Sequence, residues 1–259
     1  MFIYDFAPIQ ALISAAYWIV TTLSDLLTPM VSASSAALAV VLLTVAVRIL
    51  LIPVGRSQVK ASITRQRLAP KITELRKRHR NNPELLQRKI MELYANEQAS
   101  PMAGCLPVLA QMPVLMAVYG LFILPTIDGH PNELLNHAFL GIPLDAGFIG
   151  QLGSGAATVG SGSVFVSIMI VIAVVAQLSR RLLTPAPTAS VAPSEPGAPD
   201  LSGLTRVLSF LPFLTAVVAA FAPLAAALYL MTTTTWTLGE RVVLNRLLGG
   251  PVATGTQAR

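Results

Sequence analysis

Arg48 is the only charged residue in a long apolar run of the sequence, residues 35–54. If this run crosses a membrane, a charge at mid-bilayer costs roughly 2.5 to 3.5 kcal/mol on insertion scales. Two interpretations of Arg48 remain open. Its guanidinium can snorkel to the headgroups, since the run ends roughly 10 Å further along a helix. Alternatively, it faces a water-filled cavity between helices, where a cation would bind acidic groups.

Other polar residues also interrupt apolar runs and are candidates to line the same cavity. Thr44 lies one helical turn before Arg48 on the same face. Gln111 and Gln177 occur in two further apolar runs, where a hydrogen bond between helices is the other interpretation. In the last run Tyr229, Thr232, Thr233 and Trp236 recur at helical spacing. Packing remains the alternative there, because threonine can bond the backbone of its own helix.

Enzyme chemistry is disfavoured by the motifs. The sequence has no Walker phosphate loop, no HExxH metal motif and no GxSxG nucleophile elbow. His79, His130 and His137 fall in loops that we place on different sides of the membrane. Cys105 is the only cysteine, which excludes a disulfide framework and a cysteine-based zinc site. We therefore expect no catalytic residues, no metal and no cofactor.

The composition is that of an integral membrane protein. Of 259 residues, 54% are hydrophobic and only 12% are charged, and the mean hydropathy is +0.66. Soluble domains carry about 25% charged residues, and disordered chains have low hydrophobicity. The remaining class is an all-α polytopic membrane protein.

Hydropathy predicts five transmembrane helices. The first three cover residues 34–55, 103–125 and 163–179, and the first is expected to end at Pro53 and Gly55. The last apolar block, 207–240, is too long for one span, and Pro223 near its middle predicts a hairpin that turns at 221–223. Each arm would be about 24 Å long, shorter than a hydrocarbon core of about 30 Å, so local thinning of the bilayer is expected.

The positive charges predict the topology. Eleven of the 18 Lys and Arg residues lie between Arg56 and Lys89. The positive-inside rule then makes residues 56–102 cytoplasmic, with the N-terminus outside and the C-terminus inside. Residues 126–162 become an exterior loop, 180–206 a Pro-rich cytoplasmic linker and 241–259 a cytoplasmic tail.

The basic cytoplasmic stretch 56–102 has the pattern of a helical hairpin. Apolar stripes on both sides of Asn81-Asn82-Pro83-Glu84 predict two helices that are separated by a stop and a start signal. A solvated basic loop is the simpler alternative. We expect no bound nucleic acid, because Tyr94 alone could stack on a base.

Residues 1–33 lack the positive start of a signal peptide and carry Asp5 instead. The segment is therefore either an interfacial helix, with Tyr17 and Trp18 at headgroup level, or a sixth span. The absence of flanking cations favours the interfacial helix.

Four features together resemble the YidC-type membrane protein insertases. They are the intramembrane Arg48, the basic hairpin, the stretch PMAGCLPVLAQMPVLMAVYGLF (101–122) and the Pro-led last helix with Leu228-Tyr229. The resemblance covers about 35–183 and 204–248, and its most specific part is the stretch 104–113. The last helix departs from the family pattern, since threonines follow Tyr229-Leu230 where Ser-Asn is common.

The resemblance implies an insertase of the bacterial cytoplasmic membrane. Nascent membrane proteins would be its substrates, lipid its surroundings, and the ribosome and a translocation channel further partners. Its hydrophilic groove, open to cytosol and lipid, would be lined by Arg48, Thr44, Gln177, Gln111, Tyr229 and Thr233. Two other classes stay open, an assembly partner of another membrane complex and a small-solute transporter subunit.

Overall fold

The computed structural model describes residues 4, 6–31, 34–97, 99, 106–183 and 211–249, with the side chains of 106–111, 114–115 and 211–212 excepted. Cys105, the start of the second predicted span and most of the predicted linker and tail lie outside this part of the chain. The described residues are mostly helical, which confirms a helical membrane protein. The helices are α1 (Ala7–Val31), α2 (Ser35–Leu50), α3 (Ile52–Arg78), α4 (Pro83–Asn96), α5 (Leu106–Ile123), α6 (Phe148–Ser154), α7 (Val159–Leu183), α8 (Leu211–Phe221) and α9 (Leu224–Leu247).

Two of these helices, α1 and α7, are each long and apolar enough to cross a membrane. The pair α2 and α3 passes the same test when the two helices are taken together, which makes up to three candidate spans among the described residues. Each candidate is defined by length and composition alone.

The first predicted span requires a correction at its end. Helix α2 ends at Leu50 and α3 begins at Ile52, so the chain breaks at Leu51, before Pro53 rather than after Gly55. Pro53 occupies the first turn of α3. Proline is tolerated there because a first-turn N–H has no partner within the helix. Pro53 therefore lies at the beginning of a helix rather than at the end of one.

The chain divides into two compact units. One contains Met1–Leu50, Gln111–Arg180 and Ser209–Leu238, and the other contains Leu51–Ala110, Arg181–Leu208 and Gly239–Arg259.

Small residues line the core of the first unit. Ala36, Ala37 and Ala39 of α2 are buried, as is the run of three alanines that follows Leu224 in α9. Small side chains let helix backbones approach closely, which is how membrane helices pack when lipid leaves little hydrophobic driving force between them. Larger residues, among them Phe165, Leu121 and Ile172, fill the rest of the core.

A folded connector, residues 124–158, joins α5 to α7. It contains two antiparallel strand pairs, β1 (Thr126–Ile127) with β2 (His130–Pro131), and β3 (Ala138–Phe139) with β4 (Ile142–Pro143). Both pairs turn through two residues with positive φ, Asp128-Gly129 and Leu140-Gly141. Such two-residue turns match the twist of the strands that they join.

Buried Asn132 ties this connector to the end of α5. Its Nδ2 donates to the carbonyl oxygens of Leu121 and Leu124 at 2.8 and 2.9 Å. Its Oδ1 accepts from the N–H of Leu134 at 3.2 Å. The last carbonyls of a helix lack partners within that helix, so one amide satisfies two of them and starts the next turn of chain.

The connector also caps α9. The N–H groups of Leu224 and Ala225 donate to the carbonyls of Ala146 and Leu144, at 2.9 and 3.1 Å. Gly147 forms a further bridge with Pro223, in the break between α8 and α9. The first N–H groups of a helix have no partner within it, so the connector satisfies two of those of α9.

Helices α3 and α4 of the second unit pack against one another. Asn82 caps α4, since its Oδ1 accepts from the N–H of Leu85 at 3.0 Å, and Pro83 follows in the first turn. Leu68 of α3 is fully buried. The basic stretch therefore contains two packed helices rather than an unstructured loop.

Candidate functional site

Arg48 lies in the last turn of α2 and is half-buried. Its Nε and Nη2 both donate to the hydroxyl oxygen of Thr233 in α9, at 3.4 and 3.3 Å. These distances are at the long end for N–H···O bonds. A guanidinium forms shorter and stronger bonds with a carboxylate than these. The pair holds a cation between two apolar helices.

Thr44 and Tyr229 flank this pair, each one turn away along its helix. Thr44 is buried, and its hydroxyl donates to the carbonyl of Val40 at 2.7 Å. Tyr229 is buried too and precedes Thr233 by four residues, which places both on one face of α9. The structure thus brings four of the predicted residues onto two helices that meet at the Arg48–Thr233 bond.

The hydroxyl contacts of the threonines around Thr233 distinguish two interpretations of this run, a polar lining of a cavity and bonding within the helix. The hydroxyls of Thr232, Thr234 and Thr235 donate to carbonyls one turn back in α9, at 2.8, 2.8 and 2.7 Å. This is the backbone bonding typical of threonine in transmembrane helices. Thr233 is the threonine of the run that accepts from Arg48.

Of the two predicted glutamines, the structure describes the side chain of Gln177 but not that of Gln111. Gln177 is half-buried in α7, next to buried Val175 and Ala176. Gln111 lies in α5, and its side chain is outside the described part of the structure. The grouping of these two residues with Arg48 stays a prediction.

A further contact joins Gly55 of α3 to Glu240 of α9. A Cβ atom placed on Gly55 would lie 1.7 Å from Oε1 of Glu240. The carboxylate therefore occupies the space that any other residue at position 55 would fill. Because the two residues are far apart in sequence, no local pattern indicates their contact.

The basic hairpin carries an ionic link between its two helices. Glu97, directly after α4, accepts from Arg67 of α3 at 2.9 Å and from Lys71 of the same helix. The hydrogen bond and charge of Lys71, followed by the charge of Arg67, lower the pKa of Glu97. Glu92 has a lowered pKa as well, but its partner Lys89 lies within α4. Glu97 therefore links the two helices.

Comparison with known proteins decides the family. The model of the family described as 60Kd inner membrane protein matches residues 26–249. This chain belongs to that family. The resemblance to YidC-type proteins is thereby confirmed, and the matched range includes all six predicted site residues.

Relatives in the family carry the name Membrane protein insertase YidC. The protein of Clostridium perfringens is 43% identical over 81 residues, which cover 31% of this chain and 34% of the relative. That of Streptomyces avermitilis is 29% identical over 225 residues, covering 81% and 51% respectively. That of Oceanobacillus iheyensis is 27% identical over 214 residues, covering 81% and 74%. The chain thus spans only about a third and a half of the first two relatives.

Proposed function

We propose that this protein is an insertase that facilitates the insertion and folding of nascent membrane proteins. Arg48 carries the proposal, because the structure holds this cation against Thr233 between two apolar helices. Membership of the 60Kd inner membrane protein family and the insertase names of its relatives support it. No covalent chemistry is involved.

The arrangement that we propose has five membrane spans, α2, α5, α7, α8 and α9, with the N-terminus outside and the C-terminus inside. Support comes from the charges. The described cations concentrate in α3 and α4 and in the last part of α9 and α7, whereas the connector 124–158 has acidic residues and no Lys or Arg. The positive-inside rule then places the α3–α4 hairpin in the cytoplasm and the connector outside.

Helix α1 would lie in the outer interface in this arrangement. Ser24 contacts Ser35, the first residue of α2, with the hydroxyl oxygens 3.1 Å apart. Ser14, near the middle of α1, donates to Asp128 of the connector at 2.8 Å. Both contacts are with the end of the first unit that we place outside, although the two serines lie about 15 Å apart along the helix. A helix that remains at one end of a bundle fits an interfacial position better than a span, and exposed Trp18 suits headgroup depth.

The mechanism that we propose is assisted partitioning. A substrate helix gains roughly 0.3 to 0.6 kcal/mol for each Leu, Ile, Phe or Val that enters lipid, so the obstacle is the polar flank that must cross. A groove lined by Arg48, Thr44, Tyr229 and Thr233, with Gln177 and Gln111 as further members, would offer that flank water and a cation. The membrane potential would then draw an acidic flank outward with about 2.3 kcal/mol per charge per 100 mV.

The α3–α4 hairpin would receive substrates on its cytoplasmic side. Most of its Lys and Arg side chains are exposed, among them Lys60, Arg76 and Arg88. The same basic surface is where a ribosome or a translocation channel would dock. Lipid surrounds the spans, as it does for any integral protein of the cytoplasmic membrane.

Reconstitution tests the proposal. The protein is placed in liposomes, a single-span substrate with an acidic outer tail is added, and protease protection of the tail is scored. Protection above that in empty liposomes is expected, with retention in Arg48→Lys and a loss in Arg48→Ala. Arg76→Ala, which removes an exposed hairpin cation, is the matched control.

Protection no higher than in empty liposomes, with the protein shown to be folded, would refute the insertase and favour an assembly partner. Wild-type insertion by Arg48→Ala would refute the role of the groove charge alone.

A further inference from the structure

The apolar part of α9 is too short to cross the hydrocarbon core. It runs from Leu224 to Leu238 before Glu240 and Arg241 follow. At 1.5 Å per residue this is about 22 Å, roughly 8 Å less than a core of about 30 Å. If Arg241 lies at the inner boundary, Leu224 is about 26 Å from it and lies about 4 Å below the outer boundary, as does whatever contacts it.

The connector contacts α9 at that depth. The carbonyls of Ala146 and Leu144 accept from the first N–H groups of α9, and Gly147 bridges to Pro223. Phe148, the first residue of α6, packs its ring against that of Phe165 in α7, with the centroids 5.6 Å apart. These contacts hold the connector against the break between α8 and α9. At this point α9 is too short to reach the outer boundary of the hydrocarbon core.

The exposed side chains of the connector continue a lipid-facing surface. Helix α8 exposes an apolar stripe at helical spacing, which consists of Leu214, Val217, Val218 and Phe221. Helix α6 packs against α8 and exposes Ile149 and Leu152. Leu140, at the tip of the β3–β4 pair, is 65% exposed even though its φ of 51° is unfavourable for a leucine. An exposed leucine at the tip of a turn is suited to contact with acyl chains.

We propose that residues 138–154 of the connector are immersed in the outer leaflet, with Leu140, Ile149 and Leu152 in contact with lipid acyl chains. Protein then replaces lipid above the short helices α8 and α9. Backbone at such depth must be hydrogen-bonded, and the strand pairing and the bonds to α9 meet part of this requirement. Exposed Asp145 limits the depth of immersion, because its carboxylate must reach headgroups or water. The proposal goes beyond the insertase function and rests only on the orientation given above.

Spin labelling in vesicles tests the immersion. Cys105→Ser first removes the native thiol, and single cysteines at Leu140 and Leu152 are then labelled in the full-length protein. Collision with oxygen, which concentrates in lipid, is compared with collision with a water-soluble nickel chelate. Asn136→Cys, an exposed position in the same connector, is the matched aqueous control. Ile170→Cys, exposed near the middle of α7, is the lipid reference.

The expected result is an oxygen-to-nickel collision ratio at both Leu140 and Leu152 that is several times that at Asn136 and approaches that at Ile170. A ratio at either leucine position equal to that at Asn136 would overturn the proposal. The measurement reports depth rather than activity, so it is independent of whether the insertase assay succeeds.

Discussion

Arg48 and Thr233 meet between α2 and α9, with the guanidinium Nη2 3.3 Å from the threonine hydroxyl. Along the chain they are separated by 185 positions. The neighbouring threonines bond the backbone of their own helix, whereas this one accepts from the cation. Thr233 therefore has a contact with Arg48 that Thr232 and Thr234 are not shown to share.

Thr233→Val keeps the shape of the side chain and removes the acceptor, so it should slow insertion of an acidic-tailed substrate. A net hydrogen bond is worth about 0.5 to 1.5 kcal/mol, which corresponds to a loss of roughly twofold to tenfold. Thr233→Ser should retain most of the activity. The control is Thr235→Val, because Thr235 is exposed and bonds Met231. Equal rates for the two valine variants would contradict the prediction.

The outer connector offers a prediction of stability. Asn132→Asp keeps the acceptor for Leu134 but turns an oxygen toward the carbonyls of Leu121 and Leu124, which then lose their donor. Leaving buried polar groups unsatisfied costs about 1 to 3 kcal/mol each, so the free energy of unfolding in detergent micelles should fall by at least that amount. Asn136→Asp makes the same chemical change at an exposed position and should leave stability within about 0.5 kcal/mol. Similar losses in both variants would argue against the structural role of Asn132.

The sequence predicted the features that depend on local pattern. Hydropathy indicates a helical membrane protein, which the structure confirms, and the residues around Arg48 and in 101–122 indicate the family, which the comparisons confirm. Such signals are carried by residues close together in the chain. Asn82 is a further example, because a cap and the proline after it are local.

Features that depend on distant contacts were not predictable. The strands of the connector are two residues long, too short for an alternating pattern, and its bonds to Leu224 and Ala225 involve backbone atoms that every residue has. Proline fits either a helix end or a first turn, so the sequence predicts an end at Pro53 where the structure has the first turn of α3. Pro53 lies in a first turn because the helix breaks at Leu51, two residues before it.

The contact between Gly55 and Glu240 predicts that the effect of Gly55→Ala on the free energy of unfolding depends on Glu240. In an otherwise unaltered protein, Gly55→Ala forces the carboxylate aside, because the new Cβ would lie 1.7 Å from its oxygen. In a Glu240→Ala background the same substitution should stabilise the protein by about 0.5 to 1 kcal/mol, since alanine favours helix more than glycine does. Chemical unfolding of the four proteins in micelles measures this coupling.

Gly239→Ala serves as the control for that cycle, since a Cβ there meets open space among the described residues. It should stabilise the protein to the same extent whether or not Glu240 is present. If Gly55→Ala behaved as Gly239→Ala does in both backgrounds, the contact would have no energetic consequence.

The ionic link of the hairpin predicts a dependence on pH. Lys71 and Arg67 lower the pKa of Glu97, so the folded hairpin holds its proton less tightly than the unfolded chain. The stabilisation is therefore complete above the ordinary glutamate pKa of about 4.3 and is lost as the pH falls through the lower folded value. Spin labels on exposed Ala69 of α3 and Ala95 of α4 report the separation of the helices. Their distance distribution should broaden only below that pH.

Glu97→Gln should give the broad distribution at neutral pH and remove the pH dependence, because the amide cannot carry the charge that Lys71 and Arg67 attract. Glu74→Gln is the matched control. Its carboxylate pairs with Arg78 inside α3, so its loss should leave the separation of the helices unchanged. A narrow distribution in Glu97→Gln at neutral pH would show that apolar packing around Leu68 alone holds the helices together. The basic surface would then keep its shape at any pH, because the apolar contact of Leu68 does not titrate.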